Sequence, residues 1–390
     1  MSRSNFDFER MLNPIEPTTL LEKYWEKSPL LVARNHPDYY SELISLKNID
    51  SILRLYGPKS SDVDLIKENS FFSAGGEVDF NQIYQAYSLG YSLVMRKIHE
   101  RWQPLSVLHK NLEAFLNHPV GINLYMTSKN SQGFKAHFDT HDVFILQVEG
   151  SKQWKIYDSP ITLPVISDLK YTDKFINQLK SPTAEYCLNK GDLLYIPRGY
   201  IHEVYTDNSF SVHLTVGIHS LKWFDLINSA VTKLAQKEVR FRESLPVGFL
   251  RQEEAEESLK NQFQELLKLL AEQSEVEEAV EDIAQGFLGK MSPLVDEQFY
   301  QLENLEYLNL DTIVKKREGL YRIIEKIGKI GIQFGSKTVM ESLRSERAIR
   351  FILEAEEFPI KALPGLADNG KLTLVRRLIQ EGILKTVEEG

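Results

Sequence analysis

Between Val120 and His219 the chain is cut into short runs of β-branched and aromatic residues by turn signals, and this texture constrains the fold more than any other feature. Val143-Phe144-Ile145-Leu146-Gln147-Val148 and Leu193-Leu194-Tyr195-Ile196 read as strands. Glu149-Gly150-Ser151, Asn189-Lys190-Gly191-Asp192 and Pro197-Arg198-Gly199 read as turns between such runs. Many short, punctuated strands predict a small antiparallel barrel or jelly roll. At 390 residues the chain is too long for that unit alone, so two or three domains are expected.

The flanking segments have a different texture. The first hundred residues read as mostly helical, with helices over Thr18 to Trp25, Ser41 to Leu55 and Asn81 to Tyr91, a short strand at Leu30 to Ala33, and a strand-like stretch from Ser92 to Ile98. After Trp223 helical periodicity takes over, and Leu259, Phe263, Leu266, Leu267 and Leu270 form one apolar stripe. Such a stripe is normally a packing surface; pattern alone does not say whether its partner is this chain or a second copy. From about Asn309 a hairpin is expected around Tyr321, Ile323, Ile330, Ile332 and Phe334. Helices follow over Ser345 to Ala355 and Lys371 to Glu381, then a closing strand at Ile383 to Val387. Helices with a small sheet suggest a winged-helix-like module, and its nearly balanced charges favour a packing or scaffold role over DNA binding.

Charge and cysteine content narrow the function. A net charge of −9 offers no non-specific grip on nucleic acid or on an anionic membrane. The only cysteine, Cys187, can form neither an internal disulfide nor a thiolate cluster, so a metal site must be built from His, Asp and Glu. Met1 to Leu12 carries Arg3, Asp7, Glu9 and Arg10, which leaves no signal-peptide core, and no apolar run is long enough to cross a bilayer. A cytoplasmic location is the expectation.

The chemistry concentrates in Ala136-His137-Phe138-Asp139-Thr140-His141-Asp142. On an extended strand His137 and Asp139 point to one face and Phe138 to the other. A second imidazole, His202, arrives at the end of Gly191-Asp192-Leu193-Leu194-Tyr195-Ile196-Pro197-Arg198-Gly199-Tyr200-Ile201. Two imidazoles and one carboxylate form the facial triad that suits non-haem Fe(II) and leaves coordination positions open. Three histidines, or a closed set of four ligands, would have suggested zinc. An isolated His-x-Asp is weak evidence; the strand context and the Gly-Asp…Pro-x-Gly…His frame strengthen it. His141 would close the position that O₂ needs, so it reads as structural or as supporting the ligands. His36, His99, His109, His118, His213 and His219 read as ordinary, and Phe144 and Trp154 as core.

These motifs resemble the JmjC-type oxygenases of the cupin superfamily, and within them the ribosomal oxygenases. The resemblance rests on Asn-Leu-Tyr-Met-Thr (123–127), Ser-Gln-Gly-Phe (131–134), His-Phe-Asp (137–139), Asp142 to Trp154, and the Gly191 to His202 frame. It extends to Tyr24-Trp25-Glu26-Lys27-Ser28-Pro29-Leu30-Leu31, Leu363-Pro364-Gly365-Leu366 and Leu374-Val375-Arg376-Arg377-Leu378-Ile379, and so covers nearly the whole chain. It implies an α+β protein: a double-stranded β-helix with N-terminal helices (1–220), a helical dimerisation domain (221–308) and a winged-helix domain (309–390). It implies Fe(II) held by His137, Asp139 and His202, and 2-oxoglutarate with its far carboxylate on Lys152. By sequence alone Lys152 reads first as a solvated turn lysine, and only the resemblance reverses that. Asn123 matches an amide near the cosubstrate, Tyr125 a pocket-lining residue, and Thr215 is a further candidate on the same wall.

The chain departs from the pattern at Gly217, where the animal histidyl hydroxylases carry a substrate-contacting serine, and at Leu93-Val94-Met95-Arg96-Lys97, where they carry glutamines. The iron chemistry is untouched, but the substrate contact is put in doubt; Arg96 could meet an acidic group. The resemblance implies hydroxylation of a protein side chain, most plausibly on a ribosomal protein, by a homodimer. The alternatives are hydroxylation of another peptide, N-methyl-lysine demethylation, and a non-catalytic metal-binding cupin scaffold.

Overall fold

A computed structural model describes residues 6–57, 61–72, 79–250, 253–291 and 296–387. Arg3 and the side chains of residues 253–256 lie outside the described residues. The chain divides into two compact units, one built on residues up to Ser220 and the other on Leu221–Lys316 and Tyr321–Val387.

The first unit is organised around the strand Asp142–Ile156. Its first half pairs antiparallel with Leu193–Ile196 on one side and with Ser211–Ile218 on the other. Beyond Ser211–Ile218 the sheet continues through Val120–Thr127, Ser92–Met95 and Val63–Lys67. Its second half leaves that sheet and pairs with Ala184–Asn189 and His202–Tyr205. The turn expected at Glu149-Gly150-Ser151 is absent, because the strand runs through it. Gly150 has φ +64° there, and a Cβ on it would stand 1.8 Å from the Phe210 carbonyl oxygen. Register against Ser211–Ile218 shifts between Val212 and His213, which leaves Val148 as the extra residue of a bulge just before the glycine, where the strand passes from one sheet into the other.

Period-two alternation then sorts the side chains. Ile122, Leu124, Phe144, Leu146, Val212, Leu214 and Val216 enter the larger core, which also takes Phe8, Met11, Leu12 and Leu20 from the helices Phe8–Leu12 and Pro17–Lys23. The intervening residues face the opposite way. Val143 and Ile145 join Trp154, Ile156, Leu188, Leu194, Ile196 and Val204 in a second core where the two sheets close on each other. The expected jelly-roll type of β-sandwich is therefore present. Ser41 to Leu55 is helical only from Leu46, where a Ser45–Asn48 capping box opens a 3-10 turn that runs into the α-helix Ile49–Tyr56. Strand Val63–Lys67 and helix Gln103–Leu116 went unread in the sequence.

The second unit opens with helices Trp223–Lys237, Glu253–Gln273 and Val276–Leu288. In the leucine stripe Phe263 is 63% and Leu267 49% exposed, while Leu269, outside the stripe, is buried. Further on, Tyr321–Lys326 and Lys329–Phe334 form the expected hairpin, with Tyr321 stacked on Phe334 at 4.7 Å, and Lys337–Ser342 adds a third strand. Ile313–Lys316 pairs with Glu357–Pro359 and with the closing strand Leu384–Thr386. Helices Glu346–Glu354 and Asp368–Gln380 cover these sheets through Ile349, Ile352, Val375 and Leu378. Among the described residues no helix is long and apolar enough to cross a membrane.

Candidate functional site

His137 and Asp139 lie in an extended segment before the long strand rather than within a ladder. One β-bridge anchors it: the His137 amide donates to the His202 carbonyl at 3.1 Å, and the His202 amide returns the bond at 2.9 Å. A single bridge suffices to bring the two imidazoles to 4.4 Å between centroids while Phe138 turns away into a buried cluster with Tyr157 and Ile201. Asp139 is fastened by the Gly199 amide, which donates to its carbonyl at 3.0 Å, and its carboxylate stands 3.8 Å from His202 Nε2. One ligand atom from each of His137, Asp139 and His202 lies within 4.8 Å of the others.

The surroundings prepare these groups to bind a cation. His137 Nδ1 is 2.7 Å from the Lys135 carbonyl and His202 Nδ1 is 3.2 Å from that of Tyr200. A carbonyl can only accept, so each Nδ1 carries the proton and each Nε2 lone pair is left for a metal. Burial, then the neighbouring His137, lowers His202 to about 4, so it is a neutral ligand at physiological pH. Burial by itself would raise Asp139, but His137, His141, His202 and His219 outweigh it and hold the carboxyl below its ordinary range.

The turn that delivers His202 is locked from beneath. Asp142, fully buried, accepts from Arg198 Nη1 at 2.6 Å, the Arg198 amide at 3.3 Å, the Tyr195 hydroxyl at 3.0 Å and Ser220 Oγ at 3.3 Å. Arg198 also pairs with Glu26 at 2.6 Å, and Tyr195 accepts from the Glu26 amide at 3.0 Å.

Lys152 is neither solvated nor in a turn. It is 4% exposed, and its Nζ donates to Thr127 Oγ1 at 3.2 Å. Among the described residues no carboxylate pairs with it, and burial lowers it to about 7. Around it stand two further buried groups with no hydrogen-bond partner, Trp154 Nε1 and His213 Nδ1. His213 lies flat on Tyr125 at 5.0 Å and edge-on to Trp154 at 5.7 Å, and it too is held well below its ordinary value by burial and then by Lys152. An uncompensated buried cation beside unpartnered donors is expensive to maintain and fits an anionic ligand that supplies the missing charge.

Asn123 and Thr215, register partners on adjacent strands, line an open cleft of about 360 Å³ with His141, His219 and Arg96. Asn123 Oδ1 accepts from the Lys97 amide at 3.0 Å, and Arg96 is ion-paired with Asp64. Thr127 and His213 are the residues that sequence reasoning missed, while Trp154 is core as expected and turns its Nε1 toward the same pocket. His213 had passed as an ordinary strand residue, because only packing between strands brings it and Thr127 to Lys152.

Residues 95–226 match the JmjC domain family. The chain is 30% identical to ribosomal oxygenase 2 of Mus musculus over 295 residues, 70% of this chain and 63% of the mouse protein. It is 28% identical to the bifunctional lysine-specific demethylase and histidyl-hydroxylase NO66 of Drosophila erecta, over 73% of this chain and 47% of that protein. The chain thus spans less than two thirds of these relatives' lengths. Among solved structures, the Escherichia coli ribosomal oxygenase YcfD in complex with cobalt and 2-oxoglutarate shares the fold at a TM-score of 0.55 and 16% identity, over 97% of this chain and 99% of that one. On its motifs, its JmjC domain and these relatives, the chain belongs to the JmjC ribosomal oxygenase family.

Proposed function

We propose that the protein is an Fe(II)- and 2-oxoglutarate-dependent oxygenase that hydroxylates a side chain of a protein, most plausibly a ribosomal protein. The observation that carries this reading is Lys152: a buried amine with no carboxylate partner among the described residues, in the same barrel as a His-Asp-His triad whose ligand atoms converge. His137, Asp139 and His202 would hold the iron, and Lys152 with Thr127 would hold the far carboxylate of the cosubstrate. Tyr125, Asn123 and Thr215 complete the wall between that pocket and the open cleft. When bound, the iron and cosubstrate supply the oxidising chemistry: 2-oxoglutarate and O₂ give succinate and CO₂, and the second oxygen atom enters a substrate C–H bond. The protein's own contribution is to keep His202 neutral and Asp139 ionised, and to bury the cosubstrate end away from water.

The cleft favours hydroxylation over demethylation. A methyl-lysine ammonium calls for an aromatic cage, whereas this cleft is lined by imidazoles, Asn123 and Thr215 with the cationic Arg96 and Lys97 and a single carboxylate, Glu100. Incubated with Fe(II), 2-oxoglutarate and ribosomal proteins from its own cell, the enzyme should add the mass of one oxygen atom to one of them and release succinate but no formaldehyde. Unchanged masses throughout would remove the ribosomal substrate, and formaldehyde release would replace hydroxylation with demethylation. Loss of succinate production as well would leave the scaffold reading in its place.

The second unit supports a homodimer, with residues 221–308 as the dimerisation domain and 309–390 as a winged-helix scaffold. Trp223 at 80% exposure and Phe224 at 65% lie on one helix, Phe263 and Leu267 on another, and exposed apolar groups on this scale mark protein–protein surfaces. Light scattering should give twice the chain mass at micromolar concentration, and Phe263→Asp should shift it toward monomer; a monomer in the wild type would contradict the assignment.

A further inference from the structure

Lys152 has a chemical capacity besides its charge. It enters the barrel from the strand Asp142–Ile156, and Trp154, two residues on, points to the same face. Its Nζ donates to Thr127 Oγ1, which lies 2.9 Å from Ser92 Oγ, and Ser92, Thr127, Trp154 and His213 are all buried with it. Among the described residues no carboxylate acts on the amine, and Trp154 Nε1 and His213 Nδ1 have no hydrogen-bond partner. An indole N–H and an ammonium are both donor-only groups, so neither satisfies the other. Donors set around an amine in this way suit an oxyanion at the end of the lysine better than the ammonium itself. Burial also favours the uncharged amine, bringing Lys152 to about 7, so the free base is well populated near neutral pH. A desolvated lysine of this kind is a nucleophile toward small electrophiles.

We propose that Lys152 is a carbamylation site: its free amine adds CO₂, and the carbamate so formed excludes 2-oxoglutarate. The Nζ lone pair forms a bond to the carbon of CO₂, one C–O π pair moves onto oxygen, and the amine releases a proton to solvent. No oxidant or reductant is needed. The product replaces a buried cation that lacks a counter-charge by an anion facing the Trp154 N–H, the Thr127 hydroxyl and, with its proton on Nδ1, His213. It also removes the positive charge on which the far carboxylate of the cosubstrate depends. Dissolved CO₂ is one source, and the oxygenase reaction is a second, since each turnover releases one CO₂ in the same barrel. That second source, and with it a brake by product, rests on the oxygenase reading; the carbamate itself needs only Lys152 and its neighbours.

The test uses the full chain with Zn(II), its lysines enriched in the NMR-active nitrogen isotope, under bicarbonate enriched in the NMR-active carbon isotope. A lysine carbamate gives a carbon resonance split by the attached nitrogen, which neither bicarbonate nor metal-bound carbonate shows. One such resonance is expected, absent from Lys152→Met and lost on saturation with 2-oxoglutarate. In Trp154→Phe, which removes a donor to the anion, its occupancy should fall about fivefold or more; Thr127→Val takes its place if that variant does not fold. No split resonance in the wild type, one that persists in Lys152→Met, or one that survives in a sample shown to bind 2-oxoglutarate would overturn the proposal. Binding of 2-oxoglutarate is measured on the same protein in bicarbonate-free buffer. Cosubstrate bound without any carbamate sinks the modification alone, whereas a carbamate on Lys152 in a protein that binds no cosubstrate upholds the modification and counts against the oxygenase reading.

Discussion

Replacing Lys152 by methionine should stabilise the metal-free protein and, at the same time, abolish its affinity for 2-oxoglutarate. Burial lowers the Lys152 ammonium to about 7, whereas in an unfolded chain it titrates near 10.4. Between those values the unfolded chain holds a proton that the fold does not, so stability rises with pH through that window. Below pH 7 both states are charged and the fold bears the whole penalty, on the order of 4 kcal/mol. Methionine fills a similar volume without the charge, so the apo protein should gain about 1–4 kcal/mol near neutral pH, and its stability should lose much of its rise between pH 7 and 10. The cosubstrate, deprived of its counter-ion in a desolvated pocket, should bind at least ~100-fold more weakly. Denaturant unfolding of the apo form and calorimetric titration of the Zn(II) form measure the two effects. Lower stability, or an unchanged affinity for 2-oxoglutarate, would show that Lys152 belongs to the framework and not to the pocket.

Arg198→Met should act in the opposite sense. It strips Asp142, fully buried, of the one guanidinium that pairs with it among the described residues, and removes the same partner from Glu26. Removing one partner of a buried pair typically costs about 3–5 kcal/mol, mostly because the remaining charge stays desolvated. The double variant Arg198→Met with Asp142→Asn removes that charge and should recover part of the loss. Because the Arg198 turn carries the Gly199 amide to Asp139 and leads directly to His202, metal affinity should fall with stability. An Arg198→Met protein within about 1 kcal/mol of wild type would mean that water already compensates Asp142.

What could be read from the sequence was local. Alternation separates Ile122 and Leu124 from Asn123 and Tyr125 without knowledge of the partner strand, and it aims His137 and Asp139 together even though only one residue of that segment is paired. The hairpin at Tyr321 to Phe334 was equally legible, because both strands and their Gly328 turn lie within one short segment. What failed was whatever depends on long-range register. Gly150 looks the same in composition whether it closes a turn or bends a strand; the Phe210 carbonyl against it decides which. Thr127 and His213 acquire a role only once their strands align around Lys152. Arg198 read as part of a bend, since Glu26 and Asp142 are remote in sequence. Val63–Lys67 alternates over too few residues to stand out, and Gln103–Leu116 buries His109, Lys110 and Glu113 on the face that pattern analysis expects to be apolar.

The measurement that bears most directly on the central claim is anaerobic titration of the metal-free protein with Fe(II) and 2-oxoglutarate, following the weak visible charge-transfer absorption of the chelate in wild type and in His202→Ala. A band in the wild type that is lost in the variant is the expected result, and it would place both cofactors at His137, Asp139 and His202. Iron bound without a band in the wild type, or a band that persists in His202→Ala, would contradict it.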